Sequence, residues 1–238
     1  MRETESATEE TSLADGPVPR SKADVLQMYK DAVDLVKLRC PGFVRKVDNH
    51  ASDFHSIQSE NGLFDAAQKI LLANDQSADE TVTVQKEDDL ACRTYFPIYH
   101  TDYGCLLQDT NIVKSAVCYA QGDYYNILIL FEEQTDPDPT DSAFAAIMVP
   151  YTKDTMLTAL NAYLPVLNNK NTTAASFRYY NCEIRCTVER STGRMVSLSH
   201  KVIADVSLQV AVDMVFTDLD EQIACTLIQH TDYNSFVW

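Results

Sequence analysis

Glycine is scarce in this chain: there are six in 238 residues, and none cluster. That scarcity excludes the glycine-rich loops that cradle phosphates, and no GxGxxG run occurs. A GxSxG nucleophile elbow and an HExxH helix are absent too, so no motif of known chemistry stands out. Positive charge is also short. Nineteen Lys and Arg against 35 Asp and Glu leave a formal charge of −16. Nucleic acid and anionic membrane surfaces are therefore poor partners, because their phosphates would be repelled; the plain reading of the acidity is solubility. No stretch reaches the 18 apolar residues of a spanning helix. No secretory signal follows Met1, which says nothing of a leader removed before it.

The seven cysteines (Cys40, Cys92, Cys105, Cys118, Cys182, Cys186 and Cys225) include no CxxC pair. Zinc therefore lacks its usual ligand spacing, and no cofactor is expected. Cys182 and Cys186, four apart on one extended segment, are too distant to bridge each other. The cysteines on strands read as small buried apolar residues, with one disulfide among the loop cysteines left open.

What the chain does have is strand periodicity over residues 177–238. Tyr180, Cys182, Ile184, Cys186 and Val188 alternate with mostly polar neighbours, and the beat resumes from Val196 through Leu198, His200, Val202, Ala204 and Val206 to Phe216. Such alternation means strands with one face in a core and one in water. Ser191-Thr192-Gly193 reads as a three-residue hairpin loop, Gly193 supplying the left-handed position of a bulged turn. It predicts Arg190 opposite Arg194, Val188 opposite Val196, Cys186 opposite Leu198 and Ile184 opposite His200, with Glu183 facing Lys201 on the outer side. A second turn at Asp218-Leu219-Asp220-Glu221 predicts Thr217 opposite Gln222 and Met214 opposite Cys225. The outcome is a three-stranded meander whose middle member, residues 194–217, is long enough that it must coil, or break near Ala204-Asp205.

Ahead of this, residues 1–20 read as a disordered acidic tether, and 21–238 as a single domain. Ser21 caps an amphipathic helix over 22–38, stopped by Cys40-Pro41-Gly42. Further helices are predicted at 61–74 and 153–168. Residues 43–60 read as a solvated polar loop with a short extended piece at 43–47; His50 and His55 there have a spacing that suits neither a helix face nor a strand face as a metal site. Residues 81–84 read as extended. Gln121-Gly122-Asp123 joins two arms of a hairpin, the second apolar on both faces and so expected to be covered on both. The Asp136-Pro137-Asp138-Pro139-Thr140-Asp141 loop lacks the mid-loop Gly and closing Glu of an EF-hand.

The stretches ADVLQMYKDAVDLVKLRCPGF, STGRMVSLSHKVIADVSLQV and TDYNSFVW resemble, loosely and over about 21–238, uncharacterised extracytoplasmic lipoproteins of anaerobic Gram-positive gut bacteria. In that family an acidic Ser/Thr-rich tether follows a lipid-bearing cysteine, which the resemblance places ahead of Met1. More distantly, long strands curling around helices resemble the half-barrel lipoprotein-localisation factors. The resemblance implies an apolar ligand between sheet and helices, an extracytoplasmic setting and membrane contact only through the removed anchor; the alternative setting is cytoplasmic. The cysteine content departs from that expectation of export.

The fold expected is α+β: a large curved antiparallel sheet, half-barrel-like, with helices packed on its apolar face. The function expected is a non-enzymatic cell-surface binding protein for a lipid or other apolar or amphipathic small molecule. Its one candidate binding residue is His200, the polar break in the meander's core face, whose alternative is a satisfied core histidine. Competing readings are a solid-cored interaction domain, and an enzyme of unrecognised type.

Overall fold

The computed structural model describes residues 18–19, 21–56, 80–96, 111–138, 170–213 and 218–238. The predicted helices at 61–74 and 153–168, and most of the predicted tether, lie outside the described residues. Within them the chain runs α1 (Lys22–Arg39), β1 (Gly42–Ser56), β2 (Glu80–Val84), α2 (Asp89–Tyr95), β3 (Val113–Gln121), β4 (Tyr124–Phe131), β5 (Gln134–Thr135), β6 (Lys170–Tyr179), β7 (Glu183–Glu189), β8 (Met195–Asp213) and β9 (Asp218–Val237). The fold is mostly antiparallel sheet with helices. Strand order is β2-β1-β9-β8-β7-β4-β3, with β6 beside β8 and β5 beside β6.

Helix α1 starts and stops as its residues dictate. Ser21 accepts a hydrogen bond from the Asp24 amide at its N-cap, and Cys40 takes the left-handed conformation (φ 41°) at its C-cap. Val25, Leu26, Tyr29, Ala32, Val33 and Val36 recur at three- and four-residue intervals. They share one core with Ile129 on β4, Ile184 on β7 and Leu198 on β8. At its other end, Lys22 Nζ donates to the Val113 carbonyl (2.9 Å), tying α1 to β3.

The three-strand meander forms: β7, β8 and β9 are sequential neighbours. Ile184 faces His200, Cys186 faces Leu198 and Glu183 faces Lys201, and Gly193 is left-handed at φ 71°. Nearer the loop the expectation fails. Val188 pairs with Met195 rather than Val196, a bulge intervening after Thr187, and the Glu189 amide donates to the Arg194 carbonyl. The bulge turns Met195 fully inward and leaves Val196 39% exposed, because the larger side chain buries more apolar area.

The second turn is a larger correction. Val206, not Met214, faces Cys225, and the ladder continues to Asp213 opposite Asp218. Asp218 to Glu221 are thus strand rather than turn, and the connection falls within 214–217, outside the described residues. The displacement is eight residues, an even number, so every inward position stays inward. β8 does not break at Ala204-Asp205. Its partner changes instead: β7 pairs with Glu183↔Lys201 as its last rung and β6 takes over from Tyr179↔Ala204. Between them Asn181 is left-handed (φ 49°), so the alternation slips, and Tyr179 rather than Tyr180 is buried.

The predicted polar loop over 43–60 is strand over its described part. β1 pairs with both β2 and β9 across a polar outer face. The residues are polar because one side meets water, a pattern easily mistaken for a loop when the apolar beats are few. On its inner side Phe43 joins Phe96, Tyr233 and Phe236 in an aromatic cluster with ring centroids 5.5–6.4 Å apart, edge-on except for the tilted Phe43–Phe236 pair. Regular alternation would send Tyr233 and Phe236 to opposite faces; the left-handed Ser235 (φ 57°) between them resets it. Gly42 is required where α1 turns into β1, since a Cβ there would sit 3.0 Å from the Lys86 amide nitrogen and 3.1 Å from the Val84 carbonyl oxygen.

The β3–β4 hairpin closes on Gly122-Asp123, with Gly122 at φ 58°. Its second arm is fully buried on one side and partly covered on the other. Tyr125, Ile127, Ile129 and Phe131 are buried, whereas Leu128 and Leu130 are half-buried on the outer face. Asp136, read above as part of a loop, accepts from Ser176 Oγ and the Phe177 amide and so ties the end of β5 to β6.

Candidate binding clefts

His200 lies on the inner face of β8, between Ile184 of β7 and Thr231 of β9 in the ladder. It is 5% exposed, its Nε2 is 3.5 Å from the Tyr29 hydroxyl of α1, and the Tyr233 ring stands edge-on at 6.2 Å. Burial pushes its pKa down to about 4, so it is neutral at pH 7. The space around it is filled by side chains of α1 and the sheet, and it lines none of the three clefts described next.

The first cleft, about 400 Å³, opens between α1 and the tips of β4 and β7. Met28, Ala32 and Leu35 on the helix and Tyr125 and Val188 on the sheet form an apolar floor; Asp24, Asp31 and Glu189 stand at the rim. This flank of α1, one step round from the buried stripe, arises because 24, 28, 31 and 35 recur at helical spacing beside 25, 29, 32 and 36. The carboxylates are held in place by neutral partners: Ser21 Oγ donates to Asp24, Gln27 Nε2 to Asp31 (2.7 Å) and Thr192 Oγ1 to Glu189. None of the three is ion-paired among the described residues.

A second cleft, about 460 Å³, lies on the outer face, where Tyr119, Asn126, Arg185, Thr187, Ser199 and Asp232 come from five different strands. Here Glu183 is bonded to Arg185 (2.8 Å), so the register with Lys201 holds but the ion partner is its own strand neighbour. The third, about 700 Å³, is bounded by the end of α1, the β2–α2 turn and the β7–β8 hairpin, and meets the first at Leu35 and Thr192.

The cysteines on strands behave as apolar residues. Cys182, Cys186 and Cys225 are buried, and burial raises their thiol pKa values, to about 11 for Cys182 and about 12 for Cys225. No disulfide forms among the described cysteines; Cys40, at the C-cap of α1, donates instead to Asp89 Oδ1 (3.2 Å). His50 is exposed on β1 rather than in a loop, and no group of three or more metal-ligating side chains occurs among the described residues. Sequence reasoning placed the helix at 22–38 and turned Val188 inward but did not single out this cleft; the signal it passed over was acidic residues interleaved with the apolar ones on one flank of α1.

No family model, no curated protein and no solved structure matches the chain.

Proposed function

We propose that this is a non-enzymatic binding protein that holds an amphipathic small molecule between α1 and the sheet. The observation that carries the reading is the first cleft, with its apolar floor and carboxylates that have no cationic partner among the described residues. Small-molecule sites combine mostly apolar lining with a few polar groups that orient the ligand. The apolar body packs on Met28, Leu35, Tyr125 and Val188, and a cationic end faces Asp24, Asp31 and Glu189. In this reading the sheet curls half-barrel-fashion toward its helical cover. Supporting that are the lengths of β8 and β9, 19 and 20 residues, and five register irregularities on four other ladders. The cell-surface setting, with the lipid anchor ahead of Met1, rests on the family resemblance.

The test is titration with a dansyl-labelled alkyl-trimethylammonium and with the matching alkyl sulfonate. The cationic probe should bind saturably at one to one and the anionic probe weakly. Asp31→Asn should weaken the cationic probe several-fold while leaving the unfolding midpoint in place. Equal binding of both probes, or binding of neither, sinks the reading.

A second reading, an interaction domain with a solid core, draws on the close filling around His200 and on the polar mosaic of the outer face. Failure of both probes would favour it.

A further inference from the structure

The third cleft gathers Arg39 from α1, Lys86 from the β2–α2 turn and Arg194 from the hairpin, with Glu87 the one carboxylate side chain lining it among the described residues. Four arginines of this acidic chain, Arg45, Arg93, Arg178 and Arg185, are taken up in ion pairs. Arg39, Lys86 and Arg194 form none among the described residues. Arg39 alone has a plain explanation, since a cation in the last turn of a helix complements its dipole. Lys86 and Arg194 have none of that kind, and they reach the same space from two other elements.

Arg194 is also held ready. Its guanidinium lies 5.8 Å over the Trp238 ring, and Trp238 is itself fixed by donating Nε1–H to the Met195 carbonyl (2.9 Å) and by stacking on Phe236 at 6.2 Å. A cation pinned in this way loses little further freedom when a ligand arrives. The hydroxyl-bearing Ser191 and Thr192 complete the same wall.

We infer that this cleft is an oxyanion site, receiving the phosphate or carboxylate end of a small ligand on Arg39, Lys86 and Arg194. It goes beyond the amphipathic-ligand reading and stands on different charged residues, the two clefts sharing only Leu35 and Thr192. Three positive side chains line the same cleft, and negative charge elsewhere on the molecule, beyond a Debye length of about 8 Å, is largely screened at physiological salt.

Trp238 is the chain's single tryptophan, so intrinsic emission reports on this cleft directly. The full chain is titrated with inorganic phosphate and, separately, with acetate, against potassium chloride at matched ionic strength, and the same titrations are repeated by calorimetry. A saturable change with an oxyanion and not with chloride is expected, and whichever of the two is tighter names the ligand's end group. Lys86→Gln and Arg39→Gln, which leave the Arg194–Trp238 stack in place, should each raise the half-saturation point roughly tenfold with the unfolding midpoint preserved. The inference is overturned if neither oxyanion exceeds chloride, or if both variants keep the wild-type half-saturation. Dye binding in the first cleft is read separately, so either proposal can fail without the other.

Discussion

On the inner face of β7, β8 and β9, Ile184, Cys186, Leu198, Val202 and Cys225 are under a tenth exposed; on the outer face of the same strands Glu183, Arg185, Ser199, Lys201 and Asp232 remain in contact with water. The backbone hydrogen bonds are common to both faces, so the contrast isolates what side chains add. Inner residues lose water and gain close-packed neighbours, whereas outer residues make charge pairs in a high-dielectric setting. Stability should therefore reside on one side. The clefts proposed for ligands open at the margin of that inner core, where α1 and the hairpin tip leave it unsealed.

The sharpest test of that contrast is Ile184→Ala, which empties a fully buried site in the central ladder. It should lower unfolding free energy by about 2–5 kcal/mol in urea denaturation. Gly42→Ala follows: the new methyl meets backbone atoms at the α1–β1 elbow, which cannot swing aside as a side chain would. A loss of about 1–3 kcal/mol is expected in the same measurement.

The next outcome depends on pH. His200 is neutral in the folded chain down to about 4, whereas the unfolded chain takes up that proton near 6.5. Its contribution is thus fully present above pH 6.5 and is lost as pH falls through the window between the two values. By pH 5 the loss is about 2 kcal/mol relative to pH 7, at about 1.4 kcal/mol per unit. His200→Gln should remove this difference, and identical pH profiles for variant and wild type would show that the inner face does not exclude the proton. The smallest effect belongs to the outer face. Glu183→Gln, which discharges the partner of Arg185, should cost under ~1 kcal/mol, and the cost should vanish in high salt. A loss comparable to that of Ile184→Ala would erase the distinction between the faces.

Local signals proved legible wherever the deciding residues are neighbours in sequence. The Ser21 cap, the stripe from Val25 to Val36, the left-handed Gly193 and the inward Cys186–Leu198 pair all follow from residues within about a dozen positions of one another. An apolar space between helices and sheet was expected, but the residues that line the first cleft were not singled out. His200 was singled out correctly as a polar break, and only the placement of Tyr29 across from it shows what it meets.

The amino-acid sequence by itself determined which side of each long strand is apolar, because alternation is a property of adjacent residues. It could not set where β9 lies along β8: any even displacement keeps the same side chains inward, and the eight-residue difference between the acidic turn and the observed Asp213–Asp218 rung is one such displacement. That choice belongs to the whole sheet, in which β9 must satisfy β1 on its other edge and close the aromatic cluster around Phe43. The gathering of Arg39, Lys86 and Arg194 into one cleft is of the same kind. Residues from a helix end, a turn and a hairpin become neighbours only through tertiary packing, so no periodicity in the chain announces them.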